Sequence, residues 1–366
     1  MEPPPRPENT TREATRTAPR GRGSAENPPN RFERLHYADD PELGREPDPT
    51  RVPTAYFRDP SRSILAWNES PDLGFAASLN PYRGCEHGCS YCYARPYHEY
   101  LGFSAGLDFE TRILAKESAP ELLRATLMSK RWQPQVIALS GATDPYQPVE
   151  ARLRITRRCL EVLVEFRNPV GVVTKNRLVT RDADLLAELA RHGAASVTVS
   201  ITTLDPELQR RLEPRASSPR LRLEAVERLA RAGIPVNVNV APVIPGLTDH
   251  EMPGILAAAA EAGATSAAWL LLRLPFAVAP LFSAWLERHY PERREKVLGR
   301  IRSVRGGRLN DPRFRSRMRG EGFFAEQVAG LFDLARRKAG LARRGPELRT
   351  DAFRRPGGQQ LGLFAE

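Results

Sequence analysis

From about residue 70 onward, short apolar runs of strand length alternate with longer stretches whose apolar residues recur at helical spacing. Residues 75–79 (Phe-Ala-Ala-Ser-Leu) read as a first strand that stops at Asn80-Pro81. Five more strands are predicted over 135–140, 170–174, 196–202, 235–240 and 269–273. Helical periodicity falls between them, over 119–130, 153–166, 182–192 and 218–232, and from Asp249 to Gly263. Gly233 closes one of these helices, because glycine accepts the left-handed geometry of a helix end. Six strand–helix units in about 200 residues predict a parallel sheet. The periodicity alone is equally compatible with a doubly wound sheet.

Outside this alternation the pattern changes at both ends. Residues 1–50 hold almost no aliphatic side chains and are expected to form a disordered tail, in which Arg20-Gly21-Arg22-Gly23 can touch nucleic acid. Residues 51–275 would form the barrel domain and 276–345 a basic helical extension, with helices expected over 281–289, 294–302 and 326–341. Residues 346–366 are expected to be a flexible tail. The formal charge is +11, and residues 287–355 carry twenty Lys/Arg against nine Asp/Glu, a surplus equal to that of the whole chain. A basic region of this kind suits nucleic acid, although charge runs more often solvate a helical face.

The 366 residues contain no apolar stretch of membrane-spanning length, and the proline-rich N-terminus has no apolar signal-peptide core. No membrane partner and a cytoplasmic location are therefore expected. Four cysteines in this length do not make a secreted disulfide framework. No P-loop, H-E-x-x-H or nucleophile-elbow pattern is present to suggest a competing chemistry.

Three of the four cysteines, Cys85, Cys89 and Cys92, are spaced C-x3-C-x2-C directly after the first predicted strand. Three thiolates on one short loop can ligate three irons of a cubane cluster and leave the fourth iron open. Gly84 and Gly88 allow the loop to turn, and Tyr91 puts an aromatic ring beside the open position. A structural zinc with His87 or His98 as fourth ligand is the alternative, but such sites usually pair C-x2-4-C units from two places in the chain.

The run Asn80 to Arg95 resembles the signature of the radical S-adenosylmethionine (SAM) superfamily, and within it the branch that includes spore photoproduct lyase. The resemblance implies a partial (β/α)6 TIM-type barrel with the cysteine loop at its C-terminal mouth. It implies a 4Fe–4S cluster and SAM as cofactors, cleavage of SAM to a 5′-deoxyadenosyl radical, and a reductant such as flavodoxin or ferredoxin. Ser140, Gly141, Thr143 and Asp144 occupy the superfamily's place for the SAM ammonium, in a form that departs from the usual Gly-Gly-Glu turn. Lys175 and Ser200 are placed for the SAM carboxylate or ribose, and Arg215 for a bidentate pair with a carboxylate. Pro245 and Gly246 resemble the turn that backs the adenine.

In spore photoproduct lyase a cysteine returns a hydrogen atom. The spare Cys159 here falls inside a predicted helix, so a buried inert thiol is its expected role. Tyr82, Tyr93, Tyr97 and Tyr146 are the candidate relays. At the C-terminus, Gln360-Leu361-Gly362-Leu363-Phe364 resembles the pentapeptide with which bacterial repair proteins hold the sliding clamp. The combined expectation is a radical SAM enzyme acting on nucleic acid, in particular DNA, in a repair-like lyase role. A radical SAM modifier of RNA or protein, and a non-catalytic iron–sulfur DNA-binding protein, are the alternatives.

Overall fold

The computed structural model describes residues 19–32 and 52–357. Six parallel strands, β1 (Ala77–Leu79), β2 (Ile137–Leu139), β3 (Val170–Thr174), β4 (Ala195–Ser200), β5 (Val236–Val243) and β6 (Ser266–Leu271), lie side by side in chain order. The antiparallel strand Leu65–Trp67 covers the outer edge of β1. Helices α1 (Ala119–Met128), α2 (Ile155–Phe166), α3 (Ala183–Arg191), α4 (Pro219–Arg231) and α5 (Met252–Glu261) fill the successive crossovers. Strand order without a reversal point excludes the doubly wound alternative. The sheet is a partial (β/α)6 barrel.

The alternation along the strands explains which face is packed. Val170, Val172, Val197, Val199, Val236, Val238 and Val240 are at most 1% exposed and lie in the main core with the apolar stripes of the helices. From α2 alone Cys159, Leu160, Leu163 and Phe166 are fully buried, and each large apolar side chain so placed contributes about 1.5–3 kcal/mol. The alternate residues Gly171, Val173, Ser196, Thr198, Asn237 and Asn239 face the lumen. A Cβ added to Gly171 would meet no atom within 4 Å, and Ala268 of β6 is exposed. Small and polar side chains thus leave the lumen open, where a complete barrel would fill it with branched ones.

Beyond β6 the expected helical extension divides in two. Helices α6 (Val278–His289) and α7 (Pro291–Ser303) form a second core with Cys89 and Tyr91 of the cysteine loop, centred on Phe282 and Trp285. Helix α8 (Phe323–Lys338) instead joins the barrel core, with its Phe332 ring 6.2 Å from that of Trp269. Some of these arginines pair with the region's own carboxylates, as in Arg294–Glu287, Arg313–Asp311, Arg343–Asp333 and Arg349–Asp351, which leaves the net surplus unchanged.

Both terminal expectations need correction over the described residues. Residues 19–32 are not a free tail. The backbone N–H groups of Gly23 and Ser24 donate to the buried Glu110 carboxylate at 3.0 and 2.9 Å, and Arg22 donates to the carbonyls of Glu110 and Val52. Polar side chains and backbone, rather than apolar area, hold this segment, which is why its composition concealed it.

Residues 342–357 run as a strap under the barrel. Ala342 extends the sheet at β6, Arg349 N–H donates to Gly193 O, Arg354 N–H to Phe166 O, and Arg355 to the carbonyls of Ser129 and Trp132. Gln360–Phe364 lie outside the described residues. Among the described residues no helix is long and apolar enough to cross a membrane.

Candidate active site

The cysteine loop leaves β1 through the short strand Tyr82–Arg83, which pairs with Arg112–Ala115, itself paired with Ala55–Arg58. This small sheet fixes the entry to the loop. Gly84 and Gly88 have φ of +77° and +65°, and a Cβ on Gly88 would sit 2.6 Å from Glu110 Oε2. Glycine is required there by both conformation and space.

Arg95, fully buried, is the loop's internal clamp. Its guanidinium donates to Cys89 O, to Ala105 O and Gly106 O, and to the equally buried Glu110. Five donors in a fixed fork can satisfy this many partners, whereas a lysine ammonium cannot. Glu86 ties the loop to its neighbours: its carboxylate accepts from Val149 N–H and Tyr56 OH and pairs with Arg215 at 3.0 Å.

The strand ends place a polar network beside this loop. Asp144, after β2, accepts from the Tyr146 and Lys175 N–H groups and from Thr174 Oγ1, and lies 3.4 Å from His87 Nδ1. Lys175, after β3, donates to Ala241 O at 2.8 Å and Thr202 Oγ1 at 3.0 Å, and pairs with Glu213 at 3.1 Å. Glu213 is fully buried. It also accepts from Arg222, Thr202 and the Tyr91 hydroxyl. Burial alone would raise its pKa, but Arg222 and then Lys175 hold the carboxylate well below its ordinary range.

The structure brings Tyr91, Lys175 and Ser200 to one end of the lumen, with Ser140, Gly141, Thr143 and Asp144 on the adjoining turn. Ser200 is buried and its carbonyl accepts from Arg222. Asn80 Oδ1 shapes the Ser140–Thr143 turn by accepting from the Ala142 and Thr143 N–H groups. Thr143 Oγ1 is buried without a partner among the described residues, and Gly141 O accepts from Tyr93 OH at 2.6 Å.

Arg215 stands apart from this group, because Glu86 engages it on the outer side of the cysteine loop. Gly246 has φ +79°, and its bare side faces Arg300 and Val297 of α7 at 3.5–3.8 Å, with Pro245 beside it in the turn. Sequence reasoning passed over Glu213 and Arg222, the central ion pair. The signal was Glu213-Pro214-Arg215 after β4, where the buried partner is the glutamate and not the arginine.

Cys85, Cys89 and Cys92 are free thiols; the first two are buried and the third half-buried. Burial pushes Cys89 well above the ordinary thiol value and Cys92 to about 11, so a cation that replaces their protons would relieve both. Soft sulfur donors suit iron–sulfur ligation. A cubane takes each thiolate on a different iron, so its ligands ring a cavity. Among the described residues no three His, Cys, Asp or Glu side chains converge as a single zinc ion requires. Of the alternative fourth zinc ligands, His87 has both ring nitrogens engaged, whereas His98 Nε2 is buried without a partner among the described residues. His87 lies between Asp144 and Asn176, and His98 is stacked at 5.1 Å on Phe103. The residues fit a cluster.

Comparison with known proteins agrees. The family model of the Radical SAM superfamily matches residues 79–259. An uncharacterized protein of Mycobacterium tuberculosis is 37% identical over 272 residues, which cover 73% of this chain and 77% of that protein. A radical SAM Nα-GlyT isomerase of Pseudomonas phage M6 is 26% identical over 208 residues, covering 55% of this chain and 41% of its own. A solved structure of a spore photoproduct lyase point mutant has a TM-score of 0.53 at 15% identity, covering 78% of this chain and 80% of that one, a likeness of fold. With its cysteine loop, open lumen and strand-end network, the chain belongs to the radical SAM superfamily, whose members use a 4Fe–4S cluster and S-adenosylmethionine.

Proposed function

We propose that this radical SAM enzyme acts on nucleic acid, and specifically on DNA in a repair-like lyase role. Cys85, Cys89 and Cys92 would hold the cluster, which with SAM supplies a carbon radical able to take a hydrogen atom from substrate. The Ser140–Asp144 turn, Lys175, Ser200 and Tyr91 line the space for SAM, and the Lys175–Glu213–Arg222 network fixes the positive charge facing it. Cys159 is fully buried in α2, and burial raises its thiol pKa, so it is not a hydrogen donor to a substrate at the mouth.

The observation that carries the reading is a crowd of cations at the C-terminal end of β6. Arg273 lies 5.0 Å over the ring of Tyr93, the residue after Cys92, and its Nε is buried without a partner among the described residues. Arg305 is buried behind it, donating to Leu272 O, and Arg317 stands beside it paired with Asp72. Burial lowers the pKa of Arg273, and the Arg317 charge lowers it further. An anionic ligand relieves that crowding, and a phosphate backbone is the anion suited to arginine forks.

The test is anaerobic: reconstitute the cluster, reduce with dithionite, add SAM, and assay 5′-deoxyadenosine with UV-damaged DNA, intact DNA, RNA or no addition. A rise confined to damaged DNA supports the repair reading. A rise with RNA alone, or with no nucleic acid, overturns it while leaving the family assignment. Arg273→Ala is expected to weaken DNA binding and to lower its salt dependence by about one counterion. The sliding clamp is proposed as a partner of Gln360–Phe364. Replacing Leu363 and Phe364 by alanine should abolish clamp retention in a pull-down, and retention by the doubly substituted chain would remove that proposal.

A further inference from the structure

The geometry points to a base-stacking platform at the barrel mouth, built from Phe32, Tyr100 and Phe276 around Arg31, with Tyr97 one turn from Tyr100, that takes unstacked nucleobases. This rests on the nucleic-acid reading and specifies it. The four rings are 55–68% exposed, an unusual state for so many large aromatic side chains on one rim. They come from three places in the chain. Tyr97 and Tyr100 lie on the single helical stretch Arg95–Leu101 that follows the cysteine loop, Phe276 lies in the loop after β6, and Phe32 belongs to the N-terminal stretch 19–32.

The loops after the first and last parallel strands therefore meet here, across the open side of the barrel. Arg31 joins them: its guanidinium carbon is 3.9 Å from the Phe276 ring centroid, 5.5 Å from that of Tyr100 and 4.7 Å from that of Phe32, while Nε pairs with Glu99 at 2.9 Å. The Phe32 and Tyr100 rings are themselves 4.8 Å apart.

Phe276 supplies a second, independent observation. Its φ is +48°, a region that disfavours a bulky side chain, yet the ring it holds out is 68% exposed. Core packing does not account for a strained backbone that presents an aromatic ring to water. Flat π faces interleaved with arginines, beside the cation group of Arg273 and Arg317, match what a single strand or an extruded nucleotide offers, bases to stack and phosphates to pair. A duplex keeps its bases stacked and cannot use the rings, so the platform favours strands or lesions whose bases have left the helix.

The experiment measures equilibrium binding of the reconstituted full chain to a single-stranded oligonucleotide carrying 2-aminopurine, and to the matching duplex. The variants are Tyr100→Ala, Phe276→Ala and Phe276→Gly. Wild type is expected to prefer the single strand and to quench the aminopurine. Each ring removed should cost about tenfold in single-strand affinity, with little change in duplex affinity or salt slope. Phe276→Gly separates binding from folding, because glycine relieves the positive φ: its urea midpoint should not fall while its affinity does. Equal single-strand affinity in wild type and all variants overturns the platform and leaves the nucleic-acid reading standing. Absence of binding to either form overturns both. Loss of the quenching to a competing peptide at lower concentration than to an unlabelled single strand assigns the rim to protein and overturns the proposal.

Discussion

At the scale of single residues, the chemistry depends on buried charges with few substitutes. The fully buried Glu213 is the shared counter-charge of Arg222 and Lys175, so Glu213→Gln leaves both cations without it. Loss of about 3–5 kcal/mol in urea unfolding is expected, together with weakened SAM binding by calorimetry. Unchanged stability would mean the pair is solvated in solution. Arg95→Lys should cost similarly, because an ammonium cannot serve Cys89 O, Gly106 O and Glu110 at once.

His98 gives a pH-dependent prediction. Burial depresses its pKa from 6.5 to about 4. A group with a depressed folded pKa stabilises the fold fully above its unfolded value and loses that contribution as pH falls towards the folded one. The window is therefore pH 6.5 down to 4, with roughly 3 kcal/mol at stake. His98→Phe in the metal-free protein should flatten the fall of the urea midpoint across that window, and parallel curves for variant and wild type would refute it.

At the scale of elements, the N-terminal segment acts as a cover whose contacts are made by backbone amides and polar side chains. Removing residues 1–32 uncovers Glu110 and the back of Gly88. The truncated protein should still fold but lose its cluster absorbance in air several-fold faster. The αβ alternation was legible because strands such as 170–174 and helices such as α2 carry periods that no other element shares. The cysteine loop was legible because its ligands are contiguous in the chain. The cover over 19–32, the small sheet of 55–58, 82–83 and 112–115, and the helix Pro206–Leu212 were not. The cover and the small sheet rest on long-range polar contacts and pairings of two to four residues, and the helix buries only Leu208, Gln209 and Leu212 over two turns, so none leaves a period to read. Glu213 was missed for a related reason: a buried acid is distinguished from an exposed one only by the partners that the fold brings to it.

At the scale of the whole molecule, two cores meet at the mouth. The barrel core holds the sheet, while α6 and α7 share one apolar cluster with Cys89 and Tyr91, so the helices beyond the barrel support the cysteine loop. Chains ending at residue 341 and at residue 357 should behave differently. The first lacks the strap under β2, β3, β4 and β6 and should lose several degrees in Tm; the second keeps it and should match the full chain in stability and SAM cleavage. Equal Tm values would show the strap to be ornamental. The strap meets the sheet only at the strands' N-terminal ends, and its last anchors are Ser129 and Trp132. The last described residues thus lie at the floor of the barrel, at the pole opposite the mouth. A partner taken at that floor and a substrate taken at the proposed rim would therefore occupy opposite poles and would not compete for one surface.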